Sequence, residues 1–171
     1  KALSAHEVFE LGGFGHSNPK ILTRKPYIQC QGETFMTICW HDTVQQNTRV
    51  IYGLDSTKID LETIGSSEFI ISPLYWHTVK LTSLKPDTRY FYKVFSGDVF
   101  SSIYSFKTLP ANGYNGKLRF ILLSDTHSSD TTMAGKICRQ ARETISELYG
   151  ADIENQVNGI IHSGDVVMSG D

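Results

Sequence analysis

The chain has too few cysteines to staple a small domain together, three in 171 residues. The spacing of Cys30, Cys39 and Cys138 fits neither a zinc knuckle nor a thioredoxin-type pair, so they read as buried or free thiols. No apolar run approaches the roughly 18 residues that cross a bilayer, and no membrane span is expected. The start at Lys1 carries no charged-then-apolar leader. Charge of one sign is also lacking: 16 Lys and Arg stand against 18 Asp and Glu, a formal net charge of −2. That balance leaves no electrostatic footprint for nucleic acid or an anionic lipid surface, and neither partner is expected. There is no internal repeat. What is present is a 40% hydrophobic, 11% aromatic composition, sufficient for the core of one large domain or two small ones.

Residues 25–109 have the alternation of half-buried strands, apolar on one face and polar on the other. Tyr27–Gln31, Thr34–His41, Arg49–Tyr52, Glu68–Ser72, Trp76–Leu84, Arg89–Ser96 and Ser101–Thr108 alternate in this way, with turn residues at Gln31-Gly32, Lys85-Pro86-Asp87 and Ser96-Gly97-Asp98. Seven short strands in one compact stretch predict a β-sandwich. Leu84-Lys85-Pro86-Asp87-Thr88-Arg89-Tyr90 has the form of a tyrosine corner, with the ring of Tyr90 in the core and its hydroxyl bonded to backbone upstream. Trp40, alternating with Met36 and Ile38, is the large core residue of an early strand. This half resembles a fibronectin type III domain.

The period changes after residue 117. The apolar run Leu118 to Leu123 predicts a strand ending at Ser124, and Met133, Ile137, Ala141, Ile145 and Leu148 recur every three or four residues, which predicts an amphipathic helix over 131–149. Ser129 or Asp130 can cap its start and Gly150 its end. A second strand, Gly159 to Ser163, completes a β-α-β unit with parallel strands. Residues 110–116, with Pro110, Gly113 and Gly116 at or beside a stretch without periodicity, read as a linker, and residues 1–24 as a lead segment. The expected fold is mixed: an all-β sandwich over 25–109, then the first β-α-β unit of an α/β domain over 117–171. A β-α-β unit of this size leaves a two-stranded parallel sheet uncovered, so the segment is expected to be a fragment of a longer protein or to be completed by another chain.

Chemistry concentrates where those two strands end. Asp125-Thr126-His127 follows the first and Gly164-Asp165 the second, at the carboxyl ends of parallel strands, where open α/β sheets bind ligands. Neither short motif argues alone: Gly-Asp also occurs at Gly97-Asp98 and Gly170-Asp171, neither of which follows such a strand. Without the strand context, Asp125 reads as a turn or helix cap and His127 as a loop imidazole bonded to backbone. In context, two carboxylates and an imidazole are the donors that hold two metal ions about 3.5–4 Å apart for phosphoryl transfer, and they suit iron, manganese or zinc. Asp125 and His127 would hold one ion, and Asp165 would bridge to the second. His162 reads as a buried strand histidine with a supporting role toward the ligands. Ser124, Ser128 and Ser129 read as turn and cap residues.

On these motifs the second half resembles the start of a calcineurin-like metallophosphoesterase, whose motifs run Asp-x-His, Gly-Asp, Asn-His, His and Gly-His-x-His. With the fibronectin-like domain in front, the chain resembles the N-terminal part of a purple acid phosphatase-like protein. The resemblance implies two metal ions in the complete protein, a phosphate ester substrate, attack by a metal-bound hydroxide, and a secreted, periplasmic or extracellular location. It assigns Asp125 and His127 to the first ion and Asp165 to the bridge. The later motifs have no counterpart here, so no catalytic residue beyond these ligands is assigned and the chain alone is expected to be inactive. Two positions depart from purple acid phosphatases proper: Met168 stands where the iron-binding tyrosine is usual, and His127 where glycine is frequent. A colourless site is therefore expected. The alternative is a non-catalytic binding or spacer module followed by a degenerate α/β remnant.

Overall fold

The computed structural model describes residues 22–45, 47–125 and 131–164. Contacts between Cα atoms divide the chain between Tyr114 and Asn115 into two compact units.

In the first unit, β1 (Arg24–Gln29), β2 (Met36–Asp42), β6 (Leu74–Leu81) and β5 (Ser66–Ile71) form an antiparallel sheet in the order β1-β2-β6-β5. The second sheet has the order β4-β3-β7-β8, from β4 (Leu61–Ile64), β3 (Thr48–Gly53), β7 (Arg89–Ser96) and β8 (Val99–Phe100), with β9 (Tyr104–Lys107) also on β7. Alternation decides what lies between the sheets. Met36, Ile38 and Trp40 of β2 are opposite Leu81, Val79 and His77 of β6. Val50 and Tyr52 of β3 are opposite Val94 and Tyr92 of β7. These residues, apart from His77, form one cluster with Leu84, Tyr90 and Phe106. Each large apolar side chain taken from water there contributes roughly 1.5–3 kcal/mol before chain entropy is set against it.

Tyr90 behaves as its motif requires: it is buried, and the Lys85 N–H donates to its hydroxyl at 2.9 Å. β4 was not foreseen. Its side chains are mostly exposed, so it carries no alternating core face, and only its pairing with β3 makes it a strand. β4 ends and β5 begins on either side of Gly65, where the chain leaves one sheet for the other. A Cβ at Gly65 would collide with the Thr78 carbonyl oxygen, which leaves glycine as the residue that can make this crossing.

In the second unit, β10 (Phe120–Leu123) and β11 (Gly159–His162) pair in parallel, from Phe120 opposite Gly159 to Leu123 opposite His162. Between them in sequence lie α1 (Thr131–Tyr149) and the short α2 (Ile153–Gln156). Helix α1 occupies the residues its periodicity predicts, with Cys138 buried and Gly150 at its end at φ 96, donating its N–H to the Ser146 carbonyl at 2.9 Å. The pair is fastened at its start by Asn158, whose N–H donates to the Arg119 carbonyl at 2.8 Å and whose Oδ1 accepts the Arg119 N–H at 2.9 Å. Among the described residues, no helix is long and apolar enough to cross a membrane.

Candidate metal centre

The hydrogen-bond ladder between β10 and β11 runs past both strands into the motifs. Ser163 N–H donates to the Leu123 carbonyl at 3.0 Å, and Asp125 N–H donates to the Gly164 carbonyl at 3.3 Å. Asp125, the first residue of the Asp-x-His motif, therefore lies against the peptide that immediately precedes Asp165. Asp125 and Gly164 are 39 positions apart in sequence, and parallel pairing brings these two residues together.

The backbone is unusual on both sides of this contact. Asp125 has φ 50 and Gly164 φ 120. A Cβ at Gly164 would meet nothing within 4 Å, so glycine is required there by the dihedral and not by crowding. For Asp125 the left-handed conformation costs on the order of 1–2 kcal/mol relative to ordinary helix or strand geometry. Such strain persists where neighbouring structure imposes it, and it is concentrated at binding and catalytic positions.

His162 accepts the Gly164 N–H on Nδ1 at 3.2 Å, so in the neutral ring the proton lies on Nε2. Gly164 is thus held at its N–H by His162 and at its carbonyl by Asp125. The expectation of a buried histidine is corrected: His162 is half-buried. Among the described residues β11 pairs with β10 alone, and one neighbouring strand does not enclose its last residue. His127, Asp165 and Met168 lie outside the described residues, as do Ser128, Ser129 and Asp130. Among the described residues, no three His, Cys, Asp or Glu side chains come together as a metal-binding group. Asp125 and the Gly164 peptide fit a carboxylate site at a strand end, and the Asp, His, Asp donor set of the two motifs has the chemistry of an iron, manganese or zinc site.

A second constellation, which sequence reasoning missed, lies in the sandwich. His77 Nε2 is 2.9 Å from Asp42 Oδ1, and its Nδ1 is 2.7 Å from the Thr48 hydroxyl. Its ring stacks on Trp40 at 5.1 Å between centroids and 8° between planes. Trp40 Nε1 donates to the Ser96 hydroxyl at 2.7 Å. Carboxylate, imidazole and hydroxyl in a row are the parts of a nucleophilic triad, but Asp42, His77 and Thr48 are 1%, 0% and 4% exposed. No substrate reaches them, and the row serves as the polar end of the core.

Burial works to raise the Asp42 carboxyl, but hydrogen bonds from His77, Ser96 and the Val44 N–H outweigh it and hold the group below its ordinary value. His41, on the same strand, is pushed down to about 4, first by burial, then by the charges of Arg24 and His77, against an opposing pull from Asp42. The three thiols are free, with Cys39 and Cys138 buried.

Two antiparallel sheets in one unit and a parallel strand pair in the next, with a strained aspartate after its first strand, define a two-unit chain of mixed β and α/β class. Residues 24–108 match the family model described as purple acid phosphatase, N-terminal domain. The chain is 30% identical over 124 residues to purple acid phosphatase 21 of Arabidopsis thaliana, an alignment covering 69% of this chain and 27% of that protein. It also superposes on the solved purple acid phosphatase PPD1 from yellow lupin (Lupinus luteus) seeds, with a TM-score of 0.64 and 19% identity, over 85% of this chain and 30% of that one. The sandwich belongs to the purple acid phosphatase N-terminal domain family, and the chain is similar to the N-terminal part of such phosphatases. It spans less than a third of the length of these two relatives.

Proposed function

We propose that the protein to which this chain belongs hydrolyses phosphate esters at a dinuclear metal centre, with Asp125 and His127 ligating one ion and Asp165 bridging both. The observation that carries this reading is the hydrogen bond from Asp125 N–H to the Gly164 carbonyl at 3.3 Å, which sets the first ligand motif against the second. When bound, the metal pair supplies charge neutralisation at the phosphoryl group and activation of the attacking water. The residues of this chain hold that chemistry in place. Asp125, fixed in a left-handed conformation, has its backbone tied to the second motif, and Gly164 admits a dihedral that other residues resist. His162 anchors the Gly164 N–H, which steadies the turn leading to Asp165 in the manner of groups that orient metal ligands from behind.

The sandwich is read as a fibronectin type III-like domain over 25–109, joined by residues 110–116 to a metallophosphoesterase domain that begins at 117. The strand orders β1-β2-β6 and β4-β3-β7-β9, together with the Tyr90 bond, support that reading. A secreted, periplasmic or extracellular protein fits a family with this arrangement. The remaining ligand motifs, Asn-His and Gly-His-x-His, are not found in this sequence, so the chain alone is a partial site with no hydrolytic turnover.

Calorimetric titration of the chain with manganese or zinc tests the partial site. Weak binding is expected for the wild type and none for a double Asp125→Asn, Asp165→Asn variant, because a three-donor site retains measurable affinity. Equal heats from both proteins would remove the ligand assignment.

A further inference from the structure

Asn-Gly pairs occur at Asn112-Gly113, Asn115-Gly116 and Asn158-Gly159. The pairing is chemically labile, because with no Cβ on the second residue nothing hinders its backbone nitrogen from reaching the carboxamide of the first. The structure puts the pairs in opposite surroundings. Residues 111–117 are all exposed. The turn over 111–114 is closed by one hydrogen bond, from the Tyr114 N–H to the Ala111 carbonyl at 3.1 Å. Gly113, at φ 87, is the third residue of that turn, and the turn's own bond does not use its N–H. A single exposed bond is cheap to open, so the backbone there reaches other dihedrals at small cost. Asn158 is held differently. Its Oδ1 accepts the Arg119 N–H at 2.9 Å, its own N–H donates to the Arg119 carbonyl at 2.8 Å, and Gly159 opens the parallel ladder opposite Phe120. Turning this carboxamide onto the Gly159 nitrogen would break the clamp that starts the strand pair.

We propose that Asn112 and Asn115 are self-modification sites, converted by water alone to aspartate and isoaspartate where the two units join in sequence, while pairing of β10 with β11 protects Asn158. The Gly113 nitrogen, on losing its proton to solvent, attacks Cγ of Asn112. The new C–N bond closes a succinimide ring and the carboxamide nitrogen leaves as ammonia. Water then opens the ring at either carbonyl, so each event consumes one water, releases one ammonia and needs no oxidant or reductant. Asn115 and Gly116 react in the same way. Each conversion adds a carboxylate, ionised at neutral pH, to a chain of formal net charge −2, and the isoaspartyl product lengthens the main chain by one carbon. The two sites flank the division between Tyr114 and Asn115, so the connection changes with age while the strand ladders of both units stay intact.

Incubation of the whole folded chain in warm, mildly alkaline buffer, followed by tryptic peptide mapping, is the test. Cleavage after Lys107 and Lys117 releases residues 108–117 as one peptide that carries both sites. This peptide is expected to gain about 1 Da for each event and to separate into aspartyl and isoaspartyl forms, at least tenfold faster than Asn158 converts. In urea the protection is expected to vanish, with Asn158 converting alongside the others. Gly116→Ala, which puts a Cβ on the attacking residue, is expected to slow Asn115 at least tenfold and to leave Asn112 unchanged. An unmodified 108–117 peptide, Asn158 converting in the folded chain as fast as Asn112, Asn158 staying intact in urea, or wild-type conversion of Asn115 in Gly116→Ala would each overturn the proposal.

Discussion

Replacing His77 by leucine keeps most of the volume of the buried ring and removes both of its polar contacts. Asp42 is then left as a carboxylate in the core with the Val44 N–H, at 2.7 Å, and the Ser96 hydroxyl as its remaining donors. Stripping a hydrogen-bond partner from a buried carboxylate costs about 3 kcal/mol or somewhat more, because the charged group is stranded. The orphaned Thr48 hydroxyl adds on the order of 1 kcal/mol, and the lost stack on Trp40 another 0.5–1.5 kcal/mol or about that. Partial relief from the Val44 N–H brings the expected total to about 4 kcal/mol. In Asp42→Asn, His77→Leu the charge is gone while an amide oxygen can still accept the Val44 N–H, so the double variant is expected to be at least about 1.5 kcal/mol more stable than His77→Leu alone. Both tryptophans of the chain, Trp40 and Trp76, are in the sandwich, so their fluorescence during urea unfolding reports on this unit. If His77→Leu cost less than about 1 kcal/mol, or if the two substitutions added without recovery, the row would not be a coupled network.

Acid should loosen the sandwich. His41 has a folded value of about 4 against an ordinary 6.5, so the unfolded chain binds protons first as pH falls. The stability His41 gives is complete above about 6.5, is lost on going down to about 4 and changes no further below that. The ring is only half-buried, and after discounting for solvent screening the loss is about 1–2 kcal/mol. Asp42, held low, acts in the same direction at lower pH. Urea midpoints measured from pH 7 to pH 4 check the trend, and an NMR titration placing His41 near 6.5 would contradict it. Tyr90→Phe removes the bond from the Lys85 N–H and is expected to cost about 1 kcal/mol in thermal unfolding, with the sheets otherwise intact. The metal-loaded complete protein is expected to be colourless, because Met168 stands where a tyrosinate ligand would give a visible charge-transfer band, and a strong visible band would count against that reading.

What the sequence made legible follows from burial. β2, β6, β3 and β7 each have one face in the core, so Met36-Ile38-Trp40 and Tyr90-Tyr92-Val94 advertise their faces by simple alternation. β4 does not, because an edge strand whose Leu61 and Ile64 are open to solvent has no buried face to mark it. The Asp42, His77 and Thr48 row was hidden for another reason. Its members come from three strands, and the register between β2 and β6, with Thr48 supplied from the opposite sheet, is what gathers them. At the candidate metal centre, the approach of Asp125 to Gly164 was readable because parallel strands of similar length end together, while His127 and Asp165 lie outside the described residues. The left-handed turn at Asp125 and the grip of His162 on the Gly164 N–H were not, since both depend on hydrogen bonds that form only once β10 and β11 are paired.

The most direct test of the dinuclear assignment is turnover of an aryl phosphate by the complete metal-loaded protein, compared with Asp165→Asn. The bridging role predicts that hydrolysis depends on added metal and that the variant loses at least about a hundredfold in kcat/KM, nearly 3 kcal/mol of transition-state stabilisation. A variant that turned over at the wild-type rate, with the same metal requirement, would contradict the assignment of Asp165 and with it the site built on the Asp125–Gly164 contact.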